Sequence, residues 1–170
     1  ADVIAVLPES AVAVAAPATE RAQRAEAPAA GVTADAPADP LTPELRTLLE
    51  ATPVSTLSAS LRKRGYTETF IDGVATNQPG VRMVGRARTF RLIPFRPDLF
   101  KEFGGGFNAQ KRAFDGVGAG EVLVIDARGV PETGTVGDIL ALRAQVRGAA
   151  GIVTDGGVRD WSAVAELGLP

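Results

Sequence analysis

The clearest pattern of apolar and polar positions runs from Gly120 to Asp160. Glu121 to Asp126 is a short apolar run rich in β-branched residues, the composition of a strand buried on both faces. A polar loop follows and ends in Gly137-Asp138. Ile139, Leu140, Leu142 and Val146 then recur at near-helical spacing, and Gly148 stands where that helix would stop. Gly151 to Thr154 reads as a second buried strand, and Asp155-Gly156-Gly157 as a tight turn after it. Strand, helix and strand with short links predict a right-handed βαβ unit and an α/β fold.

Elements are predicted on both sides of this unit. Thr42-Pro43-Glu44 has the order of a helix start, with Leu45, Leu48 and Leu49 as its apolar stripe. Ser55 or Thr56 is placed to cap a second helix that buries Leu57 and Leu61 and closes at Gly65. Val81 to Pro94 alternates as a long strand bent at Gly85, with Arg86, Arg88, Phe90 and Leu92 on one side and Ala87, Thr89 and Arg91 on the other. Pro94 to Phe107 reads as an irregular loop around Gly104-Gly105-Gly106, without the Lys-Ser/Thr of a P-loop. Asn108 is placed to cap a short helix through Phe114, and Ser162 a last one carrying Val164 and Leu167. Residues 1–40 differ in character from residues 41–170. Val3 to Leu7 suits one short strand, Pro8 to Glu26 is Ala-rich and partly helical with Pro17 interrupting it, and Ala27 to Pro40 has linker composition.

Composition narrows the chemistry. There are 170 residues, a net charge of −2, no cysteine and no histidine. That length suits one ordinary domain with a real core. The slight negative charge argues against a nucleic-acid or anionic-membrane partner, and the Arg62-Lys63-Arg64 run reads as a solvated helix end. Without cysteine there is neither a disulfide framework nor thiolate chemistry. Without histidine there is no Ser-His-Asp triad, no His-ligated zinc and no imidazole acid-base work. Carboxylates, Arg, Lys, the lone Tyr66, a metal or water must carry any catalysis. No run reaches the length of a membrane span, and the apolar N-terminus lacks a basic leader and carries Asp2 and Glu9, so a cytoplasmic protein is expected.

In a parallel βαβ unit the helix start and both strand ends lie at one sheet edge. Asp126, Asp138, Arg159 and Asp160 are therefore expected on one rim, where open α/β sheets hold ligands. Free N–H groups near Gly137, Asp138, Ile139 and Leu140 favour an anion. Arg159 offers a planar fork for a carboxylate, and Asp160 an oxygen for a hard cation. An anionic substrate bridged to a divalent metal is the economical reading. The plainer alternatives stand beside it: Asp138 as a first-turn residue complementing the helix dipole, and Arg159 and Asp160 as a solvated turn or structural ion pair.

Gly137-Asp138, twenty residues, then Arg159-Asp160 within GIVTDGGVRD resembles the family of the regulator of ribonuclease activity A. That family also holds the 4-hydroxy-4-methyl-2-oxoglutarate and 4-carboxy-4-hydroxy-2-oxoadipate aldolases. The resemblance covers roughly Leu41 to Pro170, including LTPELRTLLEATPVSTLSASLRKRG, VGRARTFRLIP and AELGLP. It implies a layered β/β/α swivelling-domain-like fold assembling as a homotrimer with sites between subunits. It also implies a divalent metal, magnesium or else manganese, held by Asp160, with no Schiff-base lysine. Arg159 would bind the pyruvate-like carboxylate or oxygen of a 4-hydroxy-2-oxo acid and stabilise the enolate, while Gly137, Asp138, Ile139 and Leu140 position the pyruvyl end. Oxaloacetate decarboxylation passes through the same enolate.

Other members of the family bind and inhibit an endoribonuclease without chemistry of their own, which is the alternative function. A truncated, inactive domain is a third reading. Related sequences have an acidic residue soon after the Arg-Asp pair, where this chain has Ser162, Ala163 and Val164. VIAVLPESAVAVAA resembles the way the family's chains finish, so a permuted, tandem or gapped arrangement is also open.

Overall fold

The protein is described here by a computed structural model covering residues 4–7, 12–13 and 41–170. Its main sheet has five strands: β1 (Ile4–Leu7), β2 (Val12–Ala13), β3 (Met83–Arg91), β4 (Glu121–Asp126) and β6 (Gly151–Thr154), in the order β2-β1-β3-β4-β6. β1 runs antiparallel to β2 and β3, whereas β3–β4 and β4–β6 are parallel. A second, two-stranded parallel sheet pairs β5 (Gly134–Val136) with β7 (Gly157–Val158). Six helices accompany them among the described residues: α1 (Pro43–Ala51), α2 (Val54–Lys63), α3 (Pro97–Phe103), α4 (Ala109–Asp115), α5 (Asp138–Val146) and α6 (Trp161–Glu166). The expected strand–helix–strand unit is β4–α5–β6, with β4 at the predicted residues. None of the helices is long and apolar enough to cross a membrane.

The continuous apolar run of β4 has its reason in burial on both faces. Leu123 and Ile125 pack on one face with Phe114 and Val117, the α5 residues Ala141 and Ala144, and Val164 and Leu169. Val122 faces the other way, onto Met83 and Val153. Leu41 and Val84, covered by Leu45, Leu49 and Leu57 from α1 and α2, form a third cluster. Thr42 caps α1 by accepting from the Leu45 N–H at 3.2 Å, as predicted. Arg46 then ties that helix to the sheet, donating to the Val84 carbonyl at 2.5 Å.

Several expectations are corrected. The α5 face is built from alanines: Ile139 is 77% exposed, Leu142 47% and Val146 71%. The apolar spacing therefore marked the outer side of the helix, because small Ala141 and Ala144 allow it to lie close on β4. Leu48 also faces outward. Pro53, not Ser55 or Thr56, precedes α2, whose first turn has no side-chain cap. α6 starts at Trp161 with Asp160 as its cap residue, so Ser162 caps nothing. The Gly-rich loop contains α3, started by Pro97 at a position where a missing N–H is harmless. Gly85 is needed for close approach: a Cβ there would sit 2.4 Å from the Gly120 carbonyl oxygen. Val12–Ala13 is strand, within a stretch expected to be partly helical. The rest of that stretch and the Ala27 to Pro40 linker lie outside the described residues.

At the start of β4, Glu121 accepts from Arg88 Nε at 2.8 Å and from the Gly118 N–H at 2.7 Å. Desolvation pushes its carboxyl up, but the Arg88 and Gly118 hydrogen bonds and the charges of Arg88 and Arg86 outweigh it, leaving the group below the ordinary glutamate value. A carboxylate depressed on folding contributes stability above its unfolded value and loses it as pH falls through the folded one. Glu121→Gln should therefore be less stable than the parent at neutral pH, by up to about 1 kcal/mol after solvent screening. Urea titrations from pH 7 to 3 should show that gap closing toward the acid end.

Candidate functional site

The site is assembled by the small β5–β7 sheet. Gly134 pairs with Gly157 and Val136 with Val158, and the Arg159 N–H donates to the Val136 carbonyl at 2.8 Å. Arg159 and Asp160 are thereby laid beside the chain entering α5. A Cβ on Gly137 would lie 3.1 Å from Asp160 Oδ2 and 3.8 Å from an Arg159 terminal nitrogen, and one on Gly134 would lie 3.1 Å from Arg159 Cδ. Gly137 is buried where the three side chains Asp138, Arg159 and Asp160 are exposed. The glycine at the helix head is thus what lets the Arg-Asp pair come close.

The structure joins most of the predicted rim. Gly137 caps α5 and Asp138 is its first residue, with Oδ1 accepting the Ile139 N–H at 2.7 Å. One of the helix-head donors expected to meet an anion is therefore held by the helix's own carboxylate, and Leu140 is half-buried against the core. Asp126, expected on the same rim, has its carboxylate engaged by other groups. Its Oδ2 is 2.5 Å from Arg91 Nη2, and its Oδ1 accepts the Arg128 N–H at 2.9 Å. Asp160 sits in the left-handed backbone region at φ 55, one of two non-glycine residues with positive φ among the described residues, the other being Arg128 at φ 64. Such strained positions persist only where surrounding contacts enforce them.

Asp155 was read only as a turn residue. Its two oxygens accept from the Ala127 N–H at 2.5 Å and the Gly129 N–H at 2.6 Å, binding the loop after β4 to the end of β6. Thr135 is fully buried and links Thr154 Oγ1, at 2.9 Å, with the Gly157 carbonyl, at 3.1 Å. The Asp-Gly-Gly spelling carried a signal for this corner, since an Asp ahead of glycines often bonds nearby backbone N–H groups.

A cavity of about 380 Å³ adjoins the corner, lined by Val74, Met83, Val153, Val158, Trp161 and Leu169 among others. It is mainly apolar, with Asn77, Thr154 and Asp155 as polar lining, and Asp138, Arg159 and Asp160 do not line it. The rim and the cavity are neighbours, since Val136, Val158 and Trp161 beside the rim residues reach the cavity. As a donor set for a cation the rim is lean: among the described residues no group of three or more His, Cys, Asp or Glu is arranged for a metal. One carboxylate does not make a protein cage. It does fit magnesium, which keeps several waters and commonly binds through one or two carboxylates plus substrate oxygens.

The domain is a parallel α/β unit with a glycine-headed helix beside an Arg-Asp pair. The chain belongs to the RraA-like family, Aldolase/RraA, whose model matches residues 47–170. Among solved structures it is similar to Streptomyces coelicolor RraAS2, described as an unusual member of the RNase ES inhibitor RraA protein family. The two are 32% identical, with a TM-score of 0.66 over 76% of this chain and 61% of that one. It is also similar to an uncharacterized protein from Pseudomonas syringae pv. tomato str. DC3000, at 26% identity and a TM-score of 0.64 over 82% of this chain and 60% of that one. The chain spans about three-fifths of the length of these two relatives.

The corner that carries the rim is tightly packed. A Cβ on Gly156 would meet Thr135 Cγ2 at 2.5 Å and Ala127 Cβ at 2.7 Å. Gly156→Ala should cost about 1–3 kcal/mol in chemical denaturation, the usual range for overpacking. Gly105→Ala, which meets nothing within 4 Å, should change little.

Proposed function

We propose that this chain is a divalent-metal-dependent lyase of the class II aldolase type, cleaving a 4-hydroxy-2-oxo acid such as 4-hydroxy-4-methyl-2-oxoglutarate to pyruvate, with oxaloacetate decarboxylation at the same site. The observation that carries this reading is the meeting of Arg159 and Asp160 with Gly137 at the head of α5. Retro-aldol cleavage builds negative charge on the 2-oxo oxygen, and a cationic group beside it is what that oxygen requires. Arg159 receives the pyruvyl carboxylate or the developing enolate through its planar fork. Among the described residues no carboxylate forms a salt bridge with Arg159, which leaves that fork available. Asp138 and the α5 head orient the pyruvyl end, with the helix dipole favouring its charge. Asp160 would hold magnesium or manganese, which when bound supplies further positive charge at the same oxygen.

A second reading is supported by the description of the Streptomyces relative as belonging to an RNase inhibitor family. In it the exposed surface docks on an endoribonuclease and the rim is silent. We also infer a homotrimer, with the outward apolar side of α5 as a contact. Ile139, Leu142 and Val146 lie there beside Phe107, and an isolated subunit rarely leaves such a cluster in water.

Pyruvate release from 4-hydroxy-4-methyl-2-oxoglutarate and from oxaloacetate should require magnesium and be abolished by EDTA. Asp160→Ala should reduce it at least about 100-fold, the upper end of losses seen when metal-site support is removed. No release from a folded, assembled protein, together with ribonuclease inhibition that survives Asp160→Ala, would decide for the regulator. Light scattering should return three subunits, and Leu142→Glu with Val146→Glu should lower the mass toward one. An unchanged mass would remove α5 from the contact.

A further inference from the structure

The rim depends on a run of backbone bonds that begins at a side chain outside it. Asp155 bridges the Ala127 and Gly129 N–H groups at 2.5 and 2.6 Å. The residue between them, Arg128, is held at φ 64, a conformation that a free loop would leave. The loop so fixed runs on to Thr133, whose carbonyl accepts the Gly157 N–H at 2.8 Å, while Pro131 closes on the same glycine, its oxygen 2.4 Å from where a Cβ would stand. Gly157 opens β7, which pairs with β5, and the ladder ends in the Arg159 N–H to Val136 bond that sets Arg159 and Asp160 against Gly137. Every link is short and directional, and the first is charge-assisted, the stronger kind of hydrogen bond.

We propose that Asp155 is a positioning residue that sets the stance of Arg159 and Asp160 by clamping the loop after β4 against the β6–β7 corner. It acts through the backbone of the loop and the corner. For its consequence in ligand binding the proposal rests on the lyase reading above. The mechanical part, from Asp155 to the Arg159 N–H, stands without it. A loosened clamp lets the Arg-Asp pair sample positions away from the helix head, and ligand binding must then supply the ordering.

The test uses the whole chain with Asp155→Asn and Asp155→Ala. Amide hydrogen exchange is followed at Ala127, Gly129 and Arg159. Oxalate, a planar dianion shaped like the pyruvate enolate, is titrated calorimetrically in magnesium at a temperature where circular dichroism shows each variant folded. Asp155→Ala should speed exchange at Arg159 as well as at Ala127 and Gly129, and should weaken oxalate about tenfold. Asp155→Asn keeps one carbonyl acceptor and should fall between, and it carries the test if the alanine variant does not fold. A lowered melting temperature with unchanged Arg159 exchange would overturn the proposal, because the clamp would then be stability alone. Faster Arg159 exchange with unchanged oxalate affinity would overturn its effect on the ligand. A parent protein that binds no oxalate would count against the lyase reading, and the exchange at Arg159 would still decide the clamp.

Discussion

The structure turns on the pairing of β5 with β7. The helix head at Gly137 and the pair Arg159-Asp160 are separated by a helix, a strand of the main sheet and a turn, and neither end touches the other through β4 or β6 directly. Two registered residue pairs and the Arg159 N–H to Val136 bond bring them together. A ladder this short cannot stand alone in water. It is held by burial of Val136 and Thr135 below it and by the close seat of Gly156 against Thr135 and Ala127. The site therefore inherits its rigidity from the core, although its own side chains lie exposed.

Where sequence and structure agree, one strong physical constraint dominates. β4 was legible because a strand buried on both faces has no polar position to spare, and its bounds came out as read. The starts of α1 and α4 were legible because Thr42 and Asn108 accept backbone N–H groups there, and few other residues can. The stops at Gly65 and Gly148 were legible because both take positive φ. The disagreements arise where two explanations share one pattern. Ile139, Leu142 and Val146 have the spacing of a buried stripe, yet the sheet is met by Ala141 and Ala144, which periodicity weighted by size overlooks. Side-chain caps were expected at α2 and α6 because Ser and Thr stood near, and the chain enters both helices from Pro53 and Asp160 instead.

The rim was legible in its members more than in its mechanics. Gly137, Asp138, Arg159 and Asp160 could be named from spacing and resemblance, because a parallel unit sends its helix start and strand ends to one edge. Asp126 satisfied the same rule and is engaged elsewhere, by Arg91 and by a backbone N–H, which spacing could not reveal. The bonds of Asp155 across 26 and 28 residues were invisible for the same reason, since they join segments that only the folded β4–β6 ladder makes neighbours.

The distribution of charge separates support from site. Arg88 and Arg91 on β3 and Arg143 on α5 each meet a carboxylate, from Glu121, Asp126 and Asp115. These pairs lie on the surface, contribute little each, and mainly hold edges in register. Arg159, like several other exposed cations, has no such partner among the described residues, and it stands next to an aspartate in the left-handed backbone region. Asp138 and Asp160 lie beside it at the head of α5, so the rim carries both signs of charge on exposed side chains. Packing that fixes Gly137, Gly156 and Gly157 at close approach sustains that arrangement. A side chain on Gly137 would meet the Asp160 carboxylate at 3.1 Å and drive the pair from the helix head.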